Sequence, residues 1–401
     1  MKDYLQKNIP KGWKRLYLKE VAQVTNGKTN SQDAVSDGLY PLFDRSVFIK
    51  KSNKYLFNKT AIILPGEGAE FVPRYFSGKF DLHQRAYAIF DDDNKIYLPY
   101  LYQFLYANRH IFAQNAVGST VKSLRLPIIQ NIQINIPPIS EQKKIAEILA
   151  CVDEDIEKTD EIIKNTQKLK KGLTQDLLTK GIRNTKFKKS ELGEIPENWE
   201  VKKIKNSGIK MIDGDRGLSY PKKSDFYEEG YCLFLSNKNI KNDKFIFDEK
   251  SFITKEKDED LRKGKLQRKD VVLTTRGTVG NVAFYDNKIV FNHIRINSGM
   301  LIFRSDDDLV PEYLYKLFSS HFMKRRYKDM VSGSAQPQLP ISSLENISIP
   351  VPSKVEQKKI AEILSAVDNK IDIYKQIKRK LTELKKGLMQ DLLSGEVRVK
   401  I

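Results

Sequence analysis

One nine-residue segment occurs twice in this chain without change. Residues 141–149 read Glu-Gln-Lys-Lys-Ile-Ala-Glu-Ile-Leu, and residues 356–364 repeat them at an offset of 356 − 141 = 215. The pattern Leu-Lys-Lys-Gly-Leu-x-Gln-Asp-Leu-Leu begins at Leu169 and again, at the same offset, at Leu384. Solenoid repeats have periods of about 20–50 residues. A period near half of a 401-residue chain instead predicts two domains related by a pseudo-twofold axis.

The two copies also begin alike. The pattern Ile-Pro-x-x-Trp begins at Ile9 and at Ile195, an offset of 195 − 9 = 186. Since the offset later reaches 215, the second copy has 215 − 186 = 29 additional residues between its matching ends. Ends that match around middles that differ indicate a common frame that carries two different recognition regions.

Each middle region has the pattern of a buried strand followed by a turn. An apolar run at 60–64 ends at Pro65-Gly66, and a run at 271–275 ends at Arg276-Gly277. Short apolar runs bounded by Gly and Pro favour buried strands. A strand, a helical stretch, a Gly-Ser turn and a short strand are then predicted in the same order at 87–90, 99–112, 118–124 and 132–136, and again at 300–303, 311–327, 333–339 and 347–351.

The repeated segments predict two long helices with one apolar stripe each. Mostly apolar residues step by four and three in turn from Ile145 to Thr166 and from Ile360 to Tyr374, as in a coiled coil, and leucines continue the two stripes to Leu177 and Leu392. A helix of nearly 40 residues is roughly 60 Å long at about 1.5 Å per residue. Because no long return connection is visible, we expect the helices to pair antiparallel, with the recognition regions at opposite ends of a rod.

Charge and composition narrow the class of partner. The chain carries 70 Lys and Arg against 51 Asp and Glu, a formal net charge of +19. This balance favours a polyanion as partner, although a lysine-rich host proteome would also produce it. The two cysteines, Cys151 and Cys232, lack metal-ligand spacing, which fits a reducing compartment. Without a signal-peptide pattern or an apolar run long enough to span a bilayer, we expect a cytoplasmic protein with no membrane partner.

Catalytic motifs are missing from the sequence. There is no phosphate-binding Gly-x-x-x-x-Gly-Lys-Ser/Thr, and the glycines at 66–68 and 277–280 are too closely spaced for a dinucleotide fingerprint. The four histidines have no zinc-site spacing, and no methyl-transfer motif is present. Acid-x-Lys pairs such as 248–250 arise by chance in so charged a chain. We therefore predict no catalytic residue, no metal site and no cofactor in this chain.

The polar residues of the predicted loops suit nucleic acid instead. Arginine can form paired hydrogen bonds with guanine, and Asn or Gln with adenine, in the major groove. Lysine more often binds phosphates. The candidate DNA-binding residues of the first copy are Lys28, Asn30, Arg45, Ser46, Arg74, Gln84, Arg85 and Lys122. Those of the second copy are Arg216, Lys222, Asn237, Lys238, Asn239, Arg276, Gln336 and Gln338. For each residue, the alternative is a solvated loop side chain without a ligand.

These features together resemble the DNA specificity subunit of a type I restriction-modification enzyme. The resemblance rests on Pro-x-x-x-Glu-Gln-Lys-Lys-Ile-Ala-Glu-Ile-Leu at Pro137 and Pro352, on the Leu-Lys-Lys-Gly-Leu pattern, and on Ile-Pro-x-x-Trp. All three elements occur twice, in order, over essentially the whole chain. Base-contacting residues vary between members of this family, so the candidates above depend on loop position and side-chain type.

The resemblance implies an α+β fold. Two pseudo-twofold-related α/β target recognition domains would be separated by two long helices that form an antiparallel coiled coil. The expected boundaries are a first recognition domain at 1–138, a first spacer helix at 139–182, a second recognition domain with its linker at 183–353, and a second spacer helix at 354–401.

The resemblance also implies a function without catalysis. The chain would bind double-stranded DNA at a two-part target whose gap is set by the helices. Two modification subunits with S-adenosylmethionine and two restriction subunits with ATP and Mg²⁺ would assemble on it. A coiled-coil scaffold with two protein-binding domains is the alternative, and it would bind DNA weakly. An enzyme with its own cleavage or methyl-transfer activity would need motifs that this sequence does not contain.

Overall fold

A computed structural model describes residues 9–332 and 337–401 of the chain. It divides into two compact units: unit 1 is Met1–Ile162 with Tyr374–Ile401, and unit 2 is Ile163–Ile373. Because this division cuts both long helices, each helix contributes one part to each unit. Each unit is thus built on its own α+β domain and on parts of both repeated helices.

Unit 1 contains an α+β domain. Its elements are β1 (Lys14–Tyr17), α1 (Leu18–Val21), β2 (Gln23–Asn26), β3 (Tyr40–Phe43), β4 (Lys50–Ser52), β5 (Phe57–Pro65), β6 (Arg74–Leu82), β7 (Ala86–Phe90), α2 (Leu98–Ala107), α3 (His110–Asn115), α4 (Leu126–Gln130), β8 (Gln133–Ile136) and the first part of α5 (Ile139–Thr179). A six-stranded sheet has the order β2-β7-β5-β6-β3-β4. Strands β3 and β6 run parallel, and the other neighbours in this sheet run antiparallel.

The apolar run at 60–64 forms the middle of this sheet, as predicted. Ile62 and Leu64 of β5 pack in the core that also contains Tyr100 of α2. Ala61 and Ile63 point to the opposite face and pack in a second core. Alternate side chains of a strand point to opposite faces, so burial on both faces explains why the run is continuously apolar.

Unit 2 repeats this arrangement with more elements. They are β9 (Phe187–Ser190), β10 (Gly193–Pro196), β11 (Glu200–Lys203), β12 (Lys210–Asp213), β13 (Cys232–Leu235), β14 (Ile240–Lys241), β15 (Lys244–Phe245), β16 (Phe252–Ile253), α6 (Lys255–Asp260), β17 (Val271–Thr274), β18 (Val282–Phe284), β19 (Ile294–Ile296), β20 (Met300–Arg304), α7 (Pro311–Phe318), α8 (His321–Met330), α9 (Ile341–Glu345), β21 (Ser348–Val351) and the first part of α10 (Lys354–Ser394). A four-stranded sheet has the order β12-β20-β17-β18, and a three-stranded sheet has the order β16-β13-β19.

Strand pairing fixes which positions of the two units correspond. The end of β5 pairs with Ala86 at the start of β7, and the end of β17 pairs with Met300 at the start of β20. Strands β3 and β6 form a parallel pair, as do β13 and β19. From the end of β3 to the turn after β5, unit 1 advances by 66 − 43 = 23 positions. From the end of β13 to the turn after β17, unit 2 advances by 275 − 235 = 40 positions. Most of the additional length of the second copy therefore lies here, as β14–β16 and α6.

The two long helices each contain 41 residues, which confirms the helices predicted from the repeats. Within unit 1, Asp153 contacts Lys385 at 2.5 Å and Asp160 contacts Lys378 at 2.6 Å. The residue number rises along α5 as it falls along α10, so the two helix segments run antiparallel. Within unit 2, Lys170 of α5 contacts Asp368 of α10 at 2.6 Å.

The repeated motifs meet each other inside each unit. The Trp13 indole Nε1 donates a hydrogen bond to Glu141 Oε2 at 3.0 Å, and Trp199 Nε1 donates to Glu356 Oε2 at 2.9 Å. Both tryptophans are buried. Since a buried N–H needs a partner, the Ile-Pro-x-x-Trp segment depends on the Glu-Gln-Lys-Lys segment in both units. These contacts form the common frame that the sequence predicts.

Glycine closes the frame at the end of each long helix. Gly181 and Gly395 have φ of +68° and +74°, in the left-handed region. A Cβ at Gly181 would lie 2.7 Å from the Trp199 ring, and one at Gly395 would lie 3.2 Å from the Trp13 ring. The closest clashes of such a Cβ would be with Glu356 Oε1 for Gly181 and with the Pro10 ring for Gly395, so a side chain at either position would disturb the repeated motifs.

Across residues 9–332 and 337–401, no helix combines the length and the apolar character that crossing a membrane requires.

Candidate nucleic-acid interface

The same short bridge forms behind the turn that follows β5 and the turn that follows β17. Glu67 pairs with Ser123 in unit 1, and Arg276 pairs with Gln338 in unit 2. The next residue in each unit is a leucine whose N–H donates to a turn carbonyl at 2.8 Å, Leu124 to Gly66 and Leu339 to Thr275. Positions 67 and 276 are therefore equivalent, although one carries an acid and the other a base.

In unit 1, this turn brings two arginines onto one carboxylate. Arg45 Nη1 donates to Glu67 Oε2 at 3.2 Å, and Arg85 Nη1 donates to Glu67 Oε1. The Glu67 side chain is 9% exposed, whereas both arginine side chains are 62% exposed. Arg45 follows β3, and Arg85 lies in the turn between β6 and β7. We call Arg45, Glu67 and Arg85 the unit 1 cluster.

In unit 2, the equivalent positions carry different chemistry. Asn237 follows β13 as Arg45 follows β3, and Gly299 precedes β20 as Arg85 precedes β7. Asn237 Nδ2 donates to the Arg276 carbonyl oxygen at 2.6 Å. A Cβ at Gly299 would lie 3.1 Å from the Asn237 amide, so glycine leaves room for it. We call Asn237, Arg276 and Gly299 the unit 2 cluster.

The Arg276 side chain is half-exposed and makes no hydrogen bond or ion pair with the described residues through its guanidinium. Gln338 beside it is exposed and exchanges backbone hydrogen bonds with Ser332 at 3.0 Å. Gln336 lies outside the described residues. The turn of unit 2 thus presents a guanidinium and a neighbouring amide to solvent, and these two groups can hydrogen-bond to base edges.

An exposed apolar loop lies beside the unit 1 cluster. Val47 and Phe48 are each 83% exposed. Arg74 Nη2 donates to the carbonyl oxygens of Ser46 at 2.6 Å and Val47 at 3.0 Å, which holds the loop in place. Arg74 was predicted in a loop, but it is the first residue of β6 and its guanidinium contacts this loop. The sequence prediction missed Phe48, although an apolar triplet between Arg45 and Lys50 was a usable signal.

The other candidates of unit 1 surround this cluster or lie at the ends of its loops. Lys28 and Gln84 are exposed near the turn, and the Gln84 carbonyl accepts a hydrogen bond from Asn26 Nδ2 at 3.2 Å. Asn30 begins a 3₁₀ turn and donates its N–H to Asp33 at 2.9 Å. Lys122 is exposed and donates to the Ala113 carbonyl at 3.0 Å.

His83 shapes the turn that carries Arg85. The Arg85 N–H donates to His83 Nδ1 at 3.1 Å. Burial lowers the pKa of His83 below its ordinary value of 6.5, against the charges of Asp44 and Glu67. The ring is therefore neutral at pH 7, which leaves Nδ1 free to accept this hydrogen bond.

Two candidates of unit 2 have other contacts. Arg216 forms an ion pair with Asp213 at 3.0 Å, and Lys238 forms one with Glu249 at 2.8 Å. Lys222 is exposed at the start of a 3₁₀ turn. These three cations remain at the surface, where their positive charge can attract phosphates.

Asn239 needs a correction, because the prediction placed it among surface contacts. It is 4% exposed, and its Oδ1 accepts a hydrogen bond from the Ser236 N–H at 2.8 Å. Its Nδ2 donates to the carbonyls of Ile246 at 3.1 Å and Glu249 at 2.7 Å. The amide is thus engaged within the fold, and Asn239 shapes the loop that carries Asn237.

Asp215 fixes the loop after β12. Burial would raise the pKa of this carboxyl, but hydrogen bonds from the N–H groups of Gly217 and Arg262, with the Arg262 guanidinium, lower it to about 2. Its Oδ1 accepts from Gly217 at 2.7 Å and its Oδ2 from the Arg262 N–H at 2.7 Å. The carboxylate is therefore charged over the whole physiological range.

Cys232 and the acidic residues show no arrangement typical of a metal centre. Within the described ranges, no group of three or more His, Cys, Asp or Glu side chains is placed to hold a metal ion. Burial raises the pKa of the Cys232 thiol to about 12, so it stays protonated. The chemistry of both clusters is thus that of hydrogen bonding and positive charge.

Comparison with known proteins places this arrangement in a family. The domain described as "Type I restriction modification DNA specificity domain" matches residues 10–165 and 196–383. The MjaVIII specificity subunit of a type I restriction enzyme from Methanocaldococcus jannaschii is 30% identical over 98% of this chain and 94% of its own length. The EcoDI specificity subunit from Escherichia coli is 23% identical over 97% of this chain and 89% of its own.

Two solved structures share the fold. The S subunit of a type I restriction-modification system from M. genitalium superimposes with a TM-score of 0.66 at 18% identity and covers 100% of both chains. A chain from a study of complex assembly and conformational transition of the type I R-M system gives 0.57 at 14% identity over 98% of this chain and 100% of that one.

Proposed function

Because this chain belongs to the family of type I restriction-modification DNA specificity subunits, we propose that its two units read the two parts of a split DNA target. Unit 1 reads one part with the side chains around its cluster, and unit 2 reads the other part with Arg276 and Gln338. The chain contributes no catalytic group of its own. It binds double-stranded DNA and directs partner subunits to it.

One observation carries this proposal. Two units with the same frame present guanidinium groups from different positions around equivalent exposed turns: Arg45 and Arg85 in unit 1, and Arg276 in unit 2. These differences lie at exposed side chains, which are free to contact a ligand. Two readers of two different sequences must differ here, because base identity is read through the donors and acceptors of side chains.

The charge of the chain supports DNA as the ligand. A net charge of +19 attracts a duplex, and exposed lysines such as Lys28, Lys122 and Lys222 can bind phosphates outside the base-reading positions. Each neutralised phosphate releases counterions, so affinity falls by orders of magnitude over a modest rise in salt. The exposed Phe48 adds an apolar group that can contact thymine methyl groups or a base step.

The family also suggests which partner subunits this chain binds. Two modification subunits with S-adenosylmethionine dock on the frame, and two restriction subunits with ATP and Mg²⁺ complete the nuclease. The long helices α5 and α10, which each contribute to both units, set the gap between the two parts of the target. S-adenosylmethionine, ATP and Mg²⁺ belong to the partners.

The experiment is to map DNA methylation in cells that express this chain with its modification subunits. We expect methylation at one two-part sequence with a fixed gap, and none when this chain is left out. A parallel binding assay of the purified assembly should show affinity that falls steeply between 50 and 200 mM salt, a range in which about 6–10 phosphate contacts cost roughly 10³–10⁵ in affinity. Binding that is weak at every salt concentration, without a methylated sequence, would favour a protein-binding scaffold.

A further inference from the structure

We propose that Glu67 is a positioning residue that fixes which bases unit 1 reads, and that Asn237 has the same task for Arg276 in unit 2. This inference rests on the proposed function and assigns roles within it. Positions 67 and 276 occupy the same turn. In unit 1 the turn residue holds the readers, and in unit 2 the turn residue is itself the reader.

Glu67 is placed to hold arginines and not to meet DNA. It is 8% exposed, and each of its carboxylate oxygens accepts a hydrogen bond from a different arginine. A carboxylate facing the duplex would repel phosphates, whereas this one is covered by the two cations that it binds. The unit 1 cluster keeps a net charge of +1, since two guanidinium groups share one carboxylate.

The arginines keep the edge that reads bases. Arg45 and Arg85 each use only Nη1 on Glu67, and their guanidinium groups make no other hydrogen bond with the described residues. The Nε and Nη2 donors of each group therefore point away from the carboxylate. Two parallel donors of this kind match the O6 and N7 acceptors of guanine.

Holding the arginines in advance also favours binding. Flexible side chains lose rotamer freedom when an interface forms, and preorganised ones have already lost it. Arg45 and Arg85 come from separate loops, so without Glu67 nothing in the described cluster would fix their distance from each other. The arrangement of the pair, and hence the bases that it matches, depends on this one side chain.

Unit 2 positions its arginine through a contact with the backbone. Asn237 Nδ2 donates to the Arg276 carbonyl at 2.6 Å, which holds the turn and leaves the guanidinium free. The Asn237 Oδ1 is buried and accepts no hydrogen bond from the described residues. An unpaired buried oxygen costs stability, so its retention is better explained by the turn that the Nδ2 group anchors.

The test measures base discrimination by the complete assembly of this chain with its modification subunits on duplexes randomised at each base pair of the target. Glu67→Gln should lower discrimination by about 5- to 150-fold, the value of one paired hydrogen bond. The loss should fall on the base pairs that Arg45→Ala or Arg85→Ala affects. Glu67→Asp, which keeps the charge, should lose less. The half read by unit 2 should stay unchanged in all of these variants.

Two controls separate positioning from simpler effects. Glu70→Gln makes the same charge change at an exposed residue of the same turn and should leave discrimination intact. Adding Glu67→Gln to the Arg45→Ala, Arg85→Ala double variant should have little further effect, because no arginine remains to be positioned. In unit 2, Asn237→Ala should weaken discrimination at the base pairs that Arg276→Ala affects.

The outcomes are distinct. Full discrimination by a folded Glu67→Gln assembly overturns the positioning role and leaves the proposed function standing. An effect that adds in full to the loss of both arginines also overturns it, since Glu67 would then read a cytosine amino group directly. An equal gain of affinity for all sequences in Glu67→Gln and Glu70→Gln, with discrimination unchanged, would reduce the effect to net charge and overturn the positioning role. If the unmodified assembly shows no base discrimination, the proposed function itself fails.

Discussion

Unit 1 buries an acid where unit 2 buries a base. Asp81 lies five residues before β7 and pairs with Leu42, and Arg295 lies five residues before β20 and pairs with Phe234. They are 1% and 4% exposed. The same position in the same parallel strand pair has therefore been charged in opposite ways, and what differs is how each charge is satisfied.

In unit 1, neutral donors satisfy the buried acid. Asp81 accepts hydrogen bonds from the Thr29 hydroxyl at 2.7 Å, the Ser52 hydroxyl at 2.8 Å and the Leu82 N–H at 2.9 Å. These donors come from neighbouring strands and loops of the same sheet. No additional segment is needed, which fits the shorter middle of the first copy.

In unit 2, an inserted helix brings a counter-charge. Arg295 Nε contacts Asp258 Oδ1 at 2.5 Å, and Asp258 is fully buried on α6. That helix lies in the stretch where unit 2 exceeds unit 1. The comparison teaches that the frame tolerates either sign at this position, provided that the segment beside it supplies the matching group.

The largest effect should follow from removing Asp258. Asp258→Ala leaves Arg295 buried without its partner, which costs about 3–5 kcal/mol. Asp81→Ala leaves only neutral donors unpaired, for about 1–3 kcal/mol. Urea unfolding followed by hydrogen exchange of β13 and β19, and of β3 and β6, measures the two losses separately. The Asp258→Leu, Arg295→Met double variant should recover most of the stability, since a buried ion pair can be replaced by apolar groups. Equal losses in the two units would contradict the comparison.

Exchanging the clusters is the sharpest test of the turns that are proposed to read bases. The variant Asn237→Arg, Arg276→Glu, Gly299→Arg writes the unit 1 cluster into unit 2. Gly299 does not have a positive φ. The nearest side-chain atoms that a Cβ would meet there belong to Asn237, which is replaced, and Asn297 Oδ1 follows at 3.3 Å. We expect unit 2 to lose its own bases by about 1–3 kcal/mol of discrimination and to gain a preference for guanine.

Methylation mapping reads this exchange directly. Only the half of the target read by unit 2 should change, while the half read by unit 1 stays as it was. A variant that keeps the original target in both halves would show that the clusters do not carry the reading. A control with Gly299→Arg alone should weaken recognition without transferring it.

Each single alanine substitution should affect only the half of the target that its own unit reads. Arg276→Ala or Gln338→Ala should affect one half of the target, and Arg45→Ala or Gln84→Ala the other, because each pair lies in one unit. A bidentate contact contributes about 1–3 kcal/mol of discrimination, and the single amides should contribute at the lower end. Binding to duplexes altered in one half at a time measures this. A residue whose loss weakens both halves equally would be structural.

The smallest expected effect is a loss of folding stability at low pH. The pKa of Asp215 is about 2 in the fold, against an ordinary value of 3.8. A lowered carboxyl pKa contributes stability that is fully present above the ordinary value and is lost as pH falls from about 4 towards 2. The melting temperature of the wild type should therefore approach that of Asp215→Asn in this window. A difference between the two that stays constant from pH 5 to pH 2 would contradict the assignment.

The sequence was informative about the frame because its residues obey local rules. The period of the apolar residues predicted both long helices, and the apolar runs predicted β5 and β17. The antiparallel direction followed from the short connection between the copies. The sequence alone did not show that the repeated motifs contact each other, because the contact between Trp13 and Glu141 joins residues 128 positions apart.

The turns proposed to read bases were less predictable for a physical reason. Side-chain type and loop position selected Arg45, Arg85 and Arg276, but Glu67 was passed over because an acid has no evident use against DNA. Its use lies in three-dimensional proximity to two arginines from other loops. In the opposite way, Asn239 has the right side chain for adenine, yet backbone carbonyls consume its donors.

The contact between tryptophan and glutamate gives the protein two built-in optical probes. The chain has two tryptophans, and Trp13 lies in unit 1 while Trp199 lies in unit 2. Each indole is buried against a carboxylate where a recognition domain meets its helices. Emission excited selectively from indole therefore comes from these two junctions. A Trp13→Phe or Trp199→Phe protein would fluoresce from one junction, so each half could be watched loosening or tightening on its own.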